Sequence, residues 1–376
     1  MSLRQMSALT IGSLVVLVAA AAGPAYAAET PEIEVCFVLD TTGSMSGLIE
    51  GAKAKIWSIA NQMIAAEPTP RLKIGLIGYR DRGDDYITKV FELSEDIDAV
   101  YANLQGFQAN GGGDGPESVN QALAEAVSRM SWSADRKVLK IIFLVGDYPP
   151  HMDYDNDVPY PETCKNAVLK DLIINSIQCG KNERTTPIWQ EIAHSAEGSF
   201  VAIGQTGDME IIATPFDAEL TRLNREIGRT IVPYGGASER LEVRTKQILA
   251  EESAAPATAD RLAYNATTGK VVQGGGDLVD DTRSGEVDLD KLSEAELPEE
   301  MKGLSAEEKE QYVAKQAEQR TELQNQVDEL LKRRQAYLDA EQARLAAEGK
   351  GSAFDNEVTG ILREQAKRKG ITYRSE

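Results

Sequence analysis

The chain of 376 residues carries 40 Lys and Arg against 60 Asp and Glu, a formal charge of −20, and 42% of its residues are hydrophobic. So acidic a chain lacks the basic surface that displaces counterions from nucleic acid or that holds a protein to anionic lipid, while its apolar content suffices for a folded core. Two His and three Cys give little support to a Cys/His zinc site, an iron–sulfur cluster or a disulfide-dense miniprotein.

Residues 1–27 read as a secretory signal peptide. Arg4 supplies the positive start, an apolar run through Leu14, Val15, Val16, Leu17 and Val18 follows, and Ala25-Tyr26-Ala27 is a small-x-small cleavage pattern. An uncleaved anchor helix is the alternative. The segment holds one base and no acid, so cleavage leaves −21. The expected setting is periplasmic or secreted, with no membrane insertion after cleavage, and oxidising. There Cys164 and Cys179, which flank a helix–strand pair, are expected to form a disulfide, worth about 3 kcal/mol by chain entropy; two separate buried thiols are the alternative. Cys36 lies inside an apolar strand and reads as a small core residue.

Short apolar runs at 33–39, 72–79, 86–91, 138–146, 171–178 and 199–203 predict buried strands. Helical patterns separate most of them: Leu48, Ala52, Ile56, Ile59 and Met63; Ile97, Val100, Leu104 and Phe107; Val119, Leu123, Ala126 and Met130. This alternation predicts an α/β fold with a mostly parallel sheet covered on both faces, with 72–79 and 86–91 as an antiparallel pair at one edge. The pattern fades near Gly235-Gly236. A helix at about 238–251 is expected, and 252–302, poor in apolar periodicity, reads as a linker or loosely packed extension, so that 236–304 forms a connecting segment. Residues 305–376 read as a charged helical region. Ser305 with Glu308 offers a helix N-cap and an acid three residues on. Leu323, Val327, Leu330 and Tyr337 form one apolar stripe, interrupted by Arg334, on a long solvated helix of 305–348. Two heptads are too few for a coiled coil to be assigned. A short last helix is expected over 354–369.

In open parallel sheets ligands bind at the carboxyl ends of the strands, and three polar clusters fall there. The first strand ends in Asp40-Thr41-Thr42-Gly43-Ser44, the fourth in Gly146-Asp147-Tyr148-Pro149-Pro150-His151, and Gly111 to Glu117 precedes the third helix. Alternate positions of an extended turn point the same way, so Asp40, Thr42 and Ser44 can converge, with Glu117 and Asp147 completing a cluster of hard oxygens. That donor set suits Mg2+, Mn2+ or Ca2+, not zinc, and its carboxylates would repel strongly without a cation. Taken alone, Asp-x-Thr-x-Ser could be a capped helix start.

These clusters, in this order, resemble the von Willebrand factor type A (VWA) domain over about residues 31–235, which implies a Rossmann-like doubly wound sheet. Asp40, Thr42 and Ser44 match its metal-ion-dependent adhesion site (MIDAS) motif without a gap. Asp114-Gly115-Pro116-Glu117 is similar to the turn of the inserted A-like domain of integrin β subunits. By that resemblance Glu117 and Asp147 are ligands of the main ion. A second, neighbouring Ca2+ is implied at Asp81, Asp114, Pro116 and Glu117, although Gly112 stands where the family has an Asn. A third integrin ion is not expected, because Gly47 and Leu48 occupy the positions of its acids.

Other residues have plainer readings. Arg80, Asp81, Arg82, Asp84 and Asp85 fit a charged hairpin turn. His151 reads as a structural or ligand-contact residue, with a base as the alternative, and His194 as a surface or packing residue. Asn265-Ala266-Thr267 fits a glycosylation acceptor, and no Lys-Ser/Thr follows Gly111 to Gly115 to make a phosphate loop. The leading expectation is a non-enzymatic, divalent-cation-dependent module that binds a protein ligand through an acidic side chain. The alternatives are a metal-dependent hydrolase with His151 as base and an envelope scaffold whose charged helix grips a second partner.

Overall fold

The computed structural model describes residues 30–373 except 114 and 349–352; the predicted signal peptide and Asp114 lie outside the described residues. The first half alternates strands and helices: β1 (Glu32–Asp40), α1 (Ser46–Ile64), β2 (Ala66–Glu67), β3 (Arg71–Tyr79), β4 (Thr88–Ser94), α2 (Ile97–Gln105), α3 (Val119–Ser128), β5 (Leu139–Gly146), α4 (Tyr160–Leu169), β6 (Ile173–Cys179), α5 (Thr185–Ser195) and β7 (Phe200–Ile203). Six strands form one sheet in the order β4-β3-β1-β5-β6-β7, with β4 antiparallel to β3 and the other pairs parallel.

Every residue of β1 and β5 is buried, as expected of central parallel strands covered on both faces. Period-two alternation divides their side chains. Ile33, Val35, Phe37 and Leu39 join one core with α1 and α2; Cys36 and Val38 join the other with α3, α4 and α5. The chain runs outward from β1 to β3 and β4, then restarts at β5 on the other side of β1. The gap between the carboxyl ends of β1 and β5 is therefore the topological switch point, where such sheets bind ligands.

The expected disulfide is corrected by this division. Cys179 belongs to the core on one face of the sheet and Cys164 to the core on the other, and all three cysteines are free buried thiols. Period-two geometry turned Cys179 away from the helix that carries Cys164.

The second half is helical: α6 (Asp217–Gly228), α7 (Ala237–Glu252), α8 (Ala255–Thr268), α9 (Leu278–Ser284), α10 (Ala306–Ala347) and α11 (Ala353–Ala366), followed by β8 (Thr372–Tyr373). Residues 252–302 are not loosely packed. Ala259, Leu262, Val271 and Val272 enter one core with α6, and Leu278, Val279, Leu297 and Met301 enter another. Their irregular spacing over short elements hides them from a periodicity search. Asn265 is buried, donating to Val271 O and accepting from Gln273, which removes it as a glycan acceptor.

Ser305 caps α10 in a capping box with Glu308, as its sequence implied. Arg334 does not interrupt the buried stripe of α10; it belongs to it. Val313, Arg320, Val327 and Arg334, seven residues apart, are all buried, and the helix lies on α6, α8 and α9. The Arg320 guanidinium reaches Asp277 (2.5 Å), Asp280 (2.8 Å) and Thr230 O (2.8 Å). Arg334 bonds Asp217 (2.9 Å) and Asp260 (2.7 Å).

The chain then returns to the sheet. Phe354, Val358, Ile361, Leu362, Ala366 and Ile371 lie in the same core as β1 and α1. Gln365 and Asn175 exchange two hydrogen bonds (2.7 and 3.1 Å), and β8 pairs with β2. Part of the sheet's cover therefore comes from the far C-terminus.

Candidate metal centre

Asp40 ends β1 at the switch point. Its Oδ1 accepts from the Thr42 N–H (2.8 Å) and from Thr42 Oγ1 (2.7 Å), and Thr42 Oγ1 stands 3.3 Å from Ser44 Oγ. Thr41 turns the other way, donating to Tyr79 O (2.9 Å). The alternation expected from the sequence thus gathers Asp40, Thr42 and Ser44 on one side of the turn.

Asp147 follows β5 directly. Its Oδ2 accepts from Gln205 Nε2 (2.8 Å), and its carbonyl accepts from Thr185 Oγ1 (2.9 Å). Gly146 before it must be a glycine, since a Cβ there would lie 2.4 Å from Tyr79 Oη and 3.0 Å from Asp40 Cβ. Glu117 is clipped to the loop after β5: its N–H donates to Pro149 O (3.0 Å) and its carbonyl accepts from the His151 N–H (3.1 Å). Gly112, at φ +79°, passes between Thr42 and Glu117; a Cβ would sit 3.0 Å from Thr42 Cβ and 3.3 Å from Glu117 Oε1.

Three carboxylate oxygens here are buried without a hydrogen-bond partner: Asp40 Oδ2, Glu117 Oε2 and Asp147 Oδ1. Burial, and then the charge of Asp147, pushes Asp40 up to about 7. Burial, and then Asp40, Asp81, Asp84 and Asp147, pushes Glu117 up to about 9. Such shifts record carboxylates held together with nothing positive between them. Arg80, the buried base in this part of the fold, spends its guanidinium on Thr41 O, Gln108 O and Asp85. The orphaned oxygens and the hydroxyls of Thr42 and Ser44 are a donor set that fits a hard divalent cation. Among the described residues no three His, Cys, Asp or Glu side chains stand as a ready ligand cluster.

Of the residues implied for a second ion, Asp81 lies near enough to Glu117 to raise its carboxyl, and Asp114 lies outside the described residues. Asp81 Oδ1 accepts from Ser118 Oγ (2.9 Å) and Oδ2 from Tyr154 Oη (2.8 Å), so both its oxygens are engaged by the protein. Asp84 lies under the glycine loop instead, accepting from the Gly112 N–H (3.1 Å). His151 stacks on Tyr154 with ring centroids 4.1 Å apart, pairs through Nδ1 with Asp153 (2.8 Å), and brings Nε2 to 3.5 Å from Asp81. Sequence reasoning missed Gln205, which lies in no recognisable motif and arrives from a loop distant in sequence, and it read Asp84 only as part of a charged hairpin turn.

Among the described residues no helix is long and apolar enough to cross a membrane. No curated protein matches the chain. Solved structures similar to part of it include proximal thread matrix protein 1 from the mussel byssus (13% identity, 47% of this chain and 42% of that one, TM-score 0.34). A further structure of that mussel protein has a zinc-occupied MIDAS motif. The SpRpn10 VWA domain (16% identity, 47% of this chain and 89% of that one, TM-score 0.36) is also similar. So is an aerotolerance-related membrane protein from Bacteroides fragilis NCTC 9343 (15% identity, 46% and 92%, TM-score 0.32). This chain spans less than half of the mussel protein. Residues 34–158, from within β1 to the loop after β5, match the family model of the von Willebrand factor A domain.

Proposed function

We propose that this protein is a divalent-cation-dependent protein-binding module working outside the cytoplasm, with Asp40, Thr42, Ser44, Glu117 and Asp147 holding the ion, Mg2+ or Mn2+ in the first instance. The observation that carries this reading is the trio of buried, unpartnered oxygens on Asp40, Glu117 and Asp147 beside two hydroxyls at the switch point. A bound cation would supply a positive charge that a partner's carboxylate can share. The chain's own residues do the rest. Thr42 fixes the rotamer of Asp40, the Pro149 and His151 backbone fixes Glu117, and Gly112 and Gly146 leave the carboxylates room to approach. On this reading the partner brings an acidic side chain, and the chain binds it without turning it over. The similarity of the Asp114–Glu117 turn to integrin β subunits supports this choice of ligand. The signal-like residues 1–27 support a periplasmic or secreted setting.

Isothermal titration of the chelator-treated chain with MgCl2 tests the reading. Binding is expected in the wild type and lost in Asp40→Ala. Equal affinity in the two proteins would show that the site has been misassigned. Capture of a protein from envelope extract, sensitive to EDTA and lost in the same variant, would identify the partner.

A further inference from the structure

Gln205 belongs to none of the sequence motifs, yet it is in direct contact with the ion site. It lies just after β7, and its Nε2 donates to Asp147 Oδ2 at 2.8 Å and approaches Ser44 O at 3.4 Å. The backbone opposite is shaped to admit it: Gly180, at φ +70°, would place a Cβ 2.1 Å from Gln205 Oε1. With one oxygen of Asp147 taken by this amide, Oδ1 is left as the unpartnered one. Asp40 repeats the arrangement, with Oδ1 taken by Thr42 and Oδ2 free. A carboxylate tied through one oxygen offers a cation the other oxygen alone.

That restriction discriminates between ions. Mg2+ demands a near-octahedral shell of single oxygens at short distance, whereas Ca2+ takes more ligands and readily uses both oxygens of a carboxylate. An amide is also suited to the task because it donates a hydrogen bond without cancelling charge that the cation needs; a lysine there would compete with the ion. We propose that Gln205 is a positioning residue that sets the ion preference of the site: by holding Asp147 to one-oxygen coordination it favours Mg2+ over Ca2+. This inference rests on the cation-binding reading above.

The test is calorimetric titration of the full chain with MgCl2 and, separately, CaCl2, in the wild type and in Gln205→Leu and Gln205→Ala. The wild type is expected to prefer Mg2+. Loss of the amide frees Asp147 to bind through both oxygens, so the ratio of the Ca2+ to the Mg2+ dissociation constant should fall about tenfold, the worth of one charge-assisted hydrogen bond. A merely structural lesion would weaken both ions together and leave the ratio where it was. An unchanged ratio in both variants, or a wild type that prefers Ca2+, overturns the role of Gln205 while leaving cation binding intact. A wild type that takes up neither ion overturns the cation reading itself.

Discussion

Two regions of this molecule bury carboxylates, and they treat them in opposite ways. In the helical half most buried acids meet a base: Asp277 and Asp280 meet Arg320, and Asp217 and Asp260 meet Arg334, while Asp281 is held by Tyr234 and the Gly276 N–H with Oδ1 left over. Arg261 of α8 reaches back to the sheet half, giving both Nε and Nη2 to Asp98 of α2 at 2.7 and 2.8 Å. At the carboxyl ends of β1 and β5, Asp40, Glu117 and Asp147 have no such partner, and their spare oxygens are orphaned. Burial alone therefore does not mark a functional acid. A buried acid with its guanidinium is architecture, in which loss of either partner leaves a stranded charge. Several buried acids without one, gathered so that each raises the others, are maintained at a cost to stability and mark a candidate site.

The sharpest way to break the comparison is to ask whether the two regions are separable. Deleting residues 350–376 removes Phe354, Val358, Ile361, Leu362, Ala366 and Ile371 from the core that holds β1 and α1. At about 1.5–3 kcal/mol for each large side chain, the loss is on the order of 10 kcal/mol, comparable with the whole stability of a domain. The truncated chain is expected to lose its cooperative thermal transition; a normal melt would show that the sheet stands alone.

Arg320→Ala should cost about 3–5 kcal/mol in urea unfolding, because Asp277 is left buried without its base and Asp280 keeps only the half-exposed Arg283. The paired substitutions Asp277→Asn and Asp40→Asn sharpen the contrast: the first should destabilise the ion-free protein and the second stabilise it or leave it unchanged. Equal destabilisation by both would erase the distinction. Gly146→Ala, which drives a methyl group into Tyr79 Oη and Asp40, should cost about 1–3 kcal/mol and weaken Mg2+ binding with it.

The same contrast predicts a pH dependence. Asp40 and Glu117 have folded-state values raised to about 7 and about 9. A carboxyl whose value is raised on folding contributes stability that is fully present below its unfolded value, near 4, and that is lost as pH rises through the folded one. In EDTA the melting temperature should therefore fall between pH 5 and pH 9, and saturating Mg2+ should flatten the slope. Uptake of the ion should release protons, measurable as a buffer-dependent binding enthalpy. A melting temperature that rises over the same range in EDTA would contradict the raised values.

Much of the sheet and its site could be read directly from residue order. Strand runs such as Val35–Leu39 are continuous and apolar because both faces are covered, and Asp40, Thr42 and Ser44 share a side because an extended turn alternates. The capping box at Ser305 is equally local. Each of these depends on neighbours a few positions away, so a linear reading contains the information needed. Tertiary structure alone decided the remainder. The pairing of Arg334 with Asp217 and Asp260 spans 117 and 74 residues, so a charge that breaks the pattern along α10 becomes part of its buried face. Cys164 and Cys179, near in sequence, are held apart by the thickness of the sheet, and Asp81 accepts from both Ser118 and Tyr154, the latter 73 residues away. Gln205 reaches Asp147 from a loop 58 residues on. Side-chain periodicity is set by the backbone within a turn or a pleat, whereas which charges meet is set by packing, and packing joins residues that sequence keeps far apart.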